Sequence, residues 1–246
     1  MNIISLGSNC ETSMMISNHA LAIIPNSILY THLFAWSNIT IKGVNHFFQN
    51  TNLLNFDNFR YVYRFFDNCV NNISKKLYYD LNECIQDAQN HQNISSIHID
   101  IDYTFEEIYV WSHGIKIPFQ DFNLTIIENC LSDLKNKTNH MIEKTLRIMN
   151  DNNVKVFCIK CLKEEYSIQD IIELNSLILK CSSNNYMSFI VEKDENIILD
   201  ELKLTKTYIL NVPKLTAHNE AIYSSRYNTD VYYIELFENT LKMLNI

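Results

Sequence analysis

Glycine and proline are scarce in this chain, with three of each among 246 residues. Gly7, Gly43 and Gly114 lie too far apart to form a Gly-x-Gly-x-x-Gly or Walker-type phosphate loop, which removes the usual nucleotide-binding arguments. Runs of basic residues are missing as well. With a net charge of −8 and no Lys/Arg cluster able to track phosphates, no nucleic-acid partner and no anionic membrane surface is expected. No apolar stretch approaches the roughly 18 residues of a spanning helix, so no membrane insertion is expected. Residues Met1 to Gly7 lack the charged start, apolar run and cleavage site of an export signal, and the expected compartment is the cytoplasm. Cysteine is present but unpatterned. Cys10, Cys69, Cys84, Cys130, Cys158, Cys161 and Cys181 show no framework spacing, and the odd number argues for reduced thiols.

What the chain does contain is apolar and aromatic residues, 47% and 12%, enough for a sizeable core. Asn2 to Leu6 reads as a buried strand followed by a tight turn. Ser8-Asn9-Cys10-Glu11 then carries the capping-box signature of a helix start. The β-rich runs Ile3–Leu6, Val154–Ile159, Tyr186–Val191 and Tyr208–Val212 are separated by helical segments such as Ile168 to Cys181 and Val231 to Leu244. That rhythm predicts a single α/β domain over residues 1–246, with a central, mostly parallel sheet flanked by helices. Ile97 to Ile101 and Ile108 to Trp111 read as further strands. Leu124 to Met149 has a helical period broken near Asn136-Lys137-Thr138-Asn139. The aromatic stretch from Tyr30 to Phe66 reads as core, its local structure left open.

Cys10 is the candidate nucleophile. A helix N-terminus carries partial positive charge and unsatisfied N–H groups, which lower a thiol's pKa. With Ser8 as N-cap, Cys10 takes the second helical position, and the amides of the same turn can serve as an oxyanion hole. The alternative is a small buried residue packing helix against strand. Cys158-Ile159-Lys160-Cys161 matches the Cys-x-x-Cys spacing, yet residues three apart in a strand face opposite sides. Packing is the better account, and without a second ligand pair no metal is expected. No cofactor is expected either.

The segment Ile4-Ser5-Leu6-Gly7-Ser8-Asn9-Cys10-Glu11 closely resembles the N-terminal block of a bacterial family described as papain-like cysteine peptidases, a domain of unknown function often found near surface-polysaccharide genes. The resemblance continues in Leu33-Phe34-Ala35-Trp36, where the family tends to show Pro-Phe-Asp-Trp. It returns in Gly114-Ile115-Lys116-Ile117-Pro118-Phe119-Gln120-Asp121-Phe122, where the family tends to end in His-Asp-Phe, and in the helix-then-strand layout of Met141 to Lys160. Only the first block is specific. Ala35 and Gln120 depart from the family's Asp and His.

The resemblance implies a thiol hydrolase with Cys10 as nucleophile, a His as base and Asp121 as its orienting partner. Because Gln120 stands where the base is implied, His113 is the nearest substitute, and its place after a strand and before Gly114 puts it at an expected strand end. It can equally be an exposed loop histidine. His218, before the last helix, is the second candidate. Ser8, Asn9, Trp36 and Gln120 are the expected substrate-binding residues, Gln120 as a possible oxyanion donor. Three functions compete: a cysteine hydrolase acting on a small-molecule, peptide or glycan substrate; an acyltransferase using a thioester donor in surface-polysaccharide biosynthesis; and a binding domain that has lost its base.

Overall fold

Strands buried on both faces need continuous apolar runs, and the helices that cover them need an apolar stripe. Both patterns are realised here. The computed structural model describes residues 2–7, 10–20, 28–29, 33–34, 39–50, 59–67, 72–73, 76–91, 93–105, 108–119, 123–163, 166–193, 202–213 and 227–245. In chain order the elements are β1 (Asn2–Ser5), α1 (Cys10–Met15) continued by a π-helical turn (Ile16–Ala20), β2 (Ile28–Leu29), α2 (Ile41–Gln49), β3 (Arg60–Asp67), β4 (Asn72–Ile73) and α3 (Leu81–Gln89). They continue with β5 (Ile94–Phe105), β6 (Ile108–Pro118), α4 (Leu124–Asn150), β7 (Lys155–Cys161), α5 (Ile168–Cys181), β8 (Asn185–Glu192), β9 (Thr207–Val212) and α6 (Tyr227–Met243). Residue contacts group the chain into two units, Met1–Thr51 with Lys144–Ile246, and Asn52–Glu143, and α4 contributes to both.

The first unit is built on a five-stranded sheet of order β2-β1-β7-β8-β9. Every pairing in it is parallel. All four of the strand runs expected from the sequence lie in this one sheet, and the α/β class with it. Each residue of β1 and of β7 is buried, as central parallel strands require. On one face Ile3, Val156, Cys158, Ile190, Leu210 and Val212 pack against Met15 and Ile16 of the α1 segment and against Tyr233, Leu236 and Phe237 of α6. A buried hydrogen bond between Ser188 Oγ and Thr240 Oγ1, 2.8 Å, fixes α6 on β8. The opposite face meets α5 and the end of α4, where Asn185 Nδ2 donates to the carbonyls of Ile178 (2.9 Å) and Met149 (3.2 Å).

Two helices of this unit show their caps. Thr40 opens α2 by accepting from the Gly43 amide. At α5 the pair Ser167 and Asp170 forms a complete capping box, each side chain taking the other's backbone amide. The aromatic stretch supplies core in part: Phe34 and Phe47 are buried and meet edge to face at 5.2 Å.

The second unit contains an antiparallel sheet of order β4-β3-β5-β6, additional to the expected parallel one. Alternation explains it. Tyr63, Phe65, Ile97, Ile99, Ile101 and Ile117 are buried, while Arg64, His98 and Lys116 alternate with them in cross-strand register on the other face. The strands expected at Ile97 to Ile101 and Ile108 to Trp111 are parts of the longer β5 and β6. The interruption expected near Asn136 to Asn139 does not occur, and α4 runs unbroken. Thr138 turns inward and donates to the Leu134 carbonyl at 2.8 Å, so its hydroxyl is satisfied within the helix, and Asn136 and Lys137 simply face outward.

Candidate active site

The order β2-β1-β7-β8-β9 has a physical consequence at the carboxyl end of β1. The chain leaves β1 for a neighbour on one side, β2, and later returns to place β7 on the other side, so the connections diverge between β1 and β7. Such a switch point leaves a crevice that helices do not fill, and open α/β sheets bind their ligands there. Cys10 begins the helix that follows β1.

The backbone leading to it is closely held. The Leu6 amide donates to the Cys158 carbonyl at 2.8 Å, extending the β1–β7 ladder by one step. Gly7 then adopts a φ of 97°, a conformation that side-chain-bearing residues rarely take, and its amide donates to the buried Ser5 Oγ at 3.3 Å. β1 ends before this glycine, and α1 begins at Cys10. Within α1, Thr12 is fully buried, with its hydroxyl 3.0 Å from the Tyr233 hydroxyl of α6. Thr12 thereby ties α1 to α6. α1 starts at Cys10, one position later than a Ser8 cap implies, within the usual spread of helix boundaries.

Of the remaining candidates, only the backbone of His113 is described. The backbone of His113 lies within β6, which runs on to Pro118, so the expected strand end is not there. The strand continues because Ile115 and Ile117 resume the alternation after a bulge. Ile99 pairs with Ile115 and Ile101 with Ser112, so the single residue Asp100 faces both His113 and Gly114. A Cβ on Gly114 would come to 1.4 Å from the Ile99 carbonyl oxygen, which is why glycine occupies the bulge. His113 belongs to the second unit and Cys10 to the first. Ser8, Asn9, Trp36, Gln120, Asp121 and His218 lie outside the described residues.

Three of the other thiols are shifted by burial. Burial pushes the Cys84 thiol up to about 12 and raises Cys158 and Cys181 as well. Cys158 and Cys161 form no disulfide and are both buried at 1% exposure, in keeping with a packing role. Among the described residues no group of three or more His, Cys, Asp or Glu could hold a metal ion. None of the described helices is long and apolar enough to cross a membrane.

One charged residue of the parallel sheet is easily overlooked. Lys160 is 1% exposed near the carboxyl end of β7. The signal in the sequence is a lysine inside the run Val156-Phe157-Cys158-Ile159-Lys160-Cys161, since lysine is almost never fully buried unless it is paired.

No family model matches the chain, and no curated protein or solved structure shows significant similarity to it.

Proposed function

We propose that the protein is a cysteine-nucleophile enzyme in which the Cys10 thiolate attacks an acyl carbonyl. The observation that carries this reading is the position of Cys10 at the first turn of α1, directly after the β1 strand and beside the β1–β7 switch point. There the amides of the turn favour an anion, both on sulfur and on the carbonyl oxygen of a tetrahedral adduct. The sulfur bonds to the carbonyl carbon, the leaving group departs with a proton, and a thioester remains. Water then adds to the thioester, releasing a carboxylic acid and restoring the thiol. If a sugar hydroxyl takes the place of water, the same intermediate gives acyl transfer. His113 and His218 are the candidate proton carriers, with Asp121 as orienting carboxylate and Ser8, Asn9, Trp36 and Gln120 as substrate contacts. The substrate class is a small acyl compound, a peptide or an acylated glycan.

A non-catalytic binding domain is the second reading, favoured by Ala35 and Gln120, which remove an acid and a base that the resemblance implies. Incubation with p-nitrophenyl acetate and, separately, with acetyl-coenzyme A distinguishes the two. An enzyme gains one acetyl group on Cys10, seen by peptide mass spectrometry and lost in Cys10→Ser. No adduct and no release of nitrophenol above the Cys10→Ser background leaves the binding reading.

A further inference from the structure

Across the antiparallel sheet three basic residues stand directly opposite one another. Arg64 of β3 pairs in register with His98 of β5, and His98 pairs in turn with Lys116 of β6. Residues so paired share a sheet face with Cβ atoms about 5 Å apart, and like charges in that arrangement are destabilising. The row also runs against composition, since 28 Asp and Glu outnumber 20 Lys and Arg in this chain. Arg64 is answered by the buried Asp100. Lys116 is exposed and lies over the Phe66 ring, 5.7 Å from its centre, and among the described residues no acid forms an ion pair with it. Between the two cations, the half-buried His98 stacks on Phe66 at 6.4 Å, and its Nε2 lies 3.2 Å from the Ser96 hydroxyl.

We infer that Phe66, His98 and Lys116 form a binding site for the phosphate group of a small phosphorylated molecule. The Lys116 ammonium supplies the charge, the imidazole supplies a directional N–H donor, and both side chains are steadied against the Phe66 ring. The accessible part of this face is small. Val62, Ser96 and Asp100, which share the face with the row, are buried, whereas Lys116 and Pro118 are exposed. Such an area suits one compact anionic group rather than a polymer backbone. The described charged groups on the face are Arg60 and Arg64 on β3, Asp100 on β5 and Lys116 on β6, with Arg60 stacked over Tyr79 at 3.9 Å. Burial first, and Arg64 and Lys116 in addition, hold the pKa of His98 down, while Asp100 opposes them. A bound dianion reverses that balance, so ligand binding and protonation of His98 favour each other, and binding tightens as pH falls. The site belongs to the second unit and does not rest on the thiol chemistry proposed for Cys10.

The test is an NMR titration of the His98 imidazole in the full chain, its signal assigned by its loss in His98→Gln. Sulfate is the probe, because its charge does not change across the range in which histidine titrates, and chloride at equal ionic strength is the control. An opposite charge within about 4–6 Å shifts a pKa by about one unit or more. Sulfate is expected to raise the His98 pKa saturably by about one unit, and to bind roughly tenfold more tightly at about pH 5 than at about pH 8. Glycerol 3-phosphate is expected to give the same rise. Lys116→Gln, a change at an exposed side chain, is expected to abolish the saturable rise. Lys116→Glu supplies the acid that the row lacks, so the His98 pKa is expected to rise without sulfate and to respond no further to it. A shift equal in chloride, or one that persists in Lys116→Gln, overturns the site. A response to sulfate with none to glycerol 3-phosphate overturns its assignment to a phosphorylated ligand.

Discussion

At Asp100 a single carboxylate serves two neighbours. Oδ2 accepts from Arg64, through Nε at 2.9 Å and through Nη2, and Oδ1 accepts from the Gly114 amide at 3.3 Å. Asp100 is buried, and the Arg64 side chain retains 25% exposure. Removing one partner of a buried pair strands the other, which costs about 3–5 kcal/mol when both are deep. Asp100→Ala is therefore expected to lower stability by about 2 kcal/mol in urea denaturation, less than the full penalty because Arg64 can turn toward water. His98 lies on the same sheet face. Burial lowers its pKa first of all; Asp100 opposes this, and Arg64 and Lys116 add to it. The folded state thus resists a proton that the unfolded chain accepts near pH 6.5. The contribution is present above that pH and is lost as pH falls below about 6.5. His98→Gln is expected to flatten the decline in stability between pH 7 and 5, and an unchanged slope would assign that decline to other groups. The buried thiols make a third prediction at this scale. Cys84 and Cys158, both raised by burial, are expected to stay unlabelled by iodoacetamide until the protein unfolds.

Among the elements, β6 and α5 depend on single positions. Gly114 fills a bulge with no room for a side chain, so Gly114→Ala must displace the Ile99 carbonyl or break the β5–β6 register. A loss of more than about 2 kcal/mol is expected, against about 1 kcal/mol for Ser167→Ala at the cap of α5. Comparable midpoints for the two variants would mean that the bulge yields easily. These two elements also show what could be read in advance. The α5 boundaries, Ile168 and Cys181, were legible because cap, amphipathic stripe and following turn agree within one short segment. The parallel strands were legible because burial on both faces writes itself as a run of Val, Ile and Phe. The β6 strand was not fully legible: its bulge at His113 and Gly114 breaks the alternation, and Gly114 reads as a turn until Asp100 is seen opposite it. The polar quartet Asn136 to Asn139 misled in the same way, since only Thr138 of those residues turns inward, and its hydroxyl bonds within its own helix.

Taken as a whole, the molecule begins its first helix with a cysteine directly after the first strand. Its larger unit is a doubly wound sheet whose connections reverse beside β1, and the first helix after that reversal begins with Cys10. The topology followed from local patterns, but the site did not. A lysine in an apolar strand can be structural, as Lys155 is through Asp151. The central claim is that the Cys10 thiol is activated by its place in the fold. Iodoacetamide labelling of the native protein across pH, with each modified cysteine located by mass spectrometry, tests it directly. The account predicts that Cys10 reacts before Cys130 and every other thiol, with a half-maximal rate clearly below the roughly pH 8.5 of a free cysteine. Labelling of Cys10 no faster than Cys130, or a profile centred at pH 8.5 or above, would contradict it.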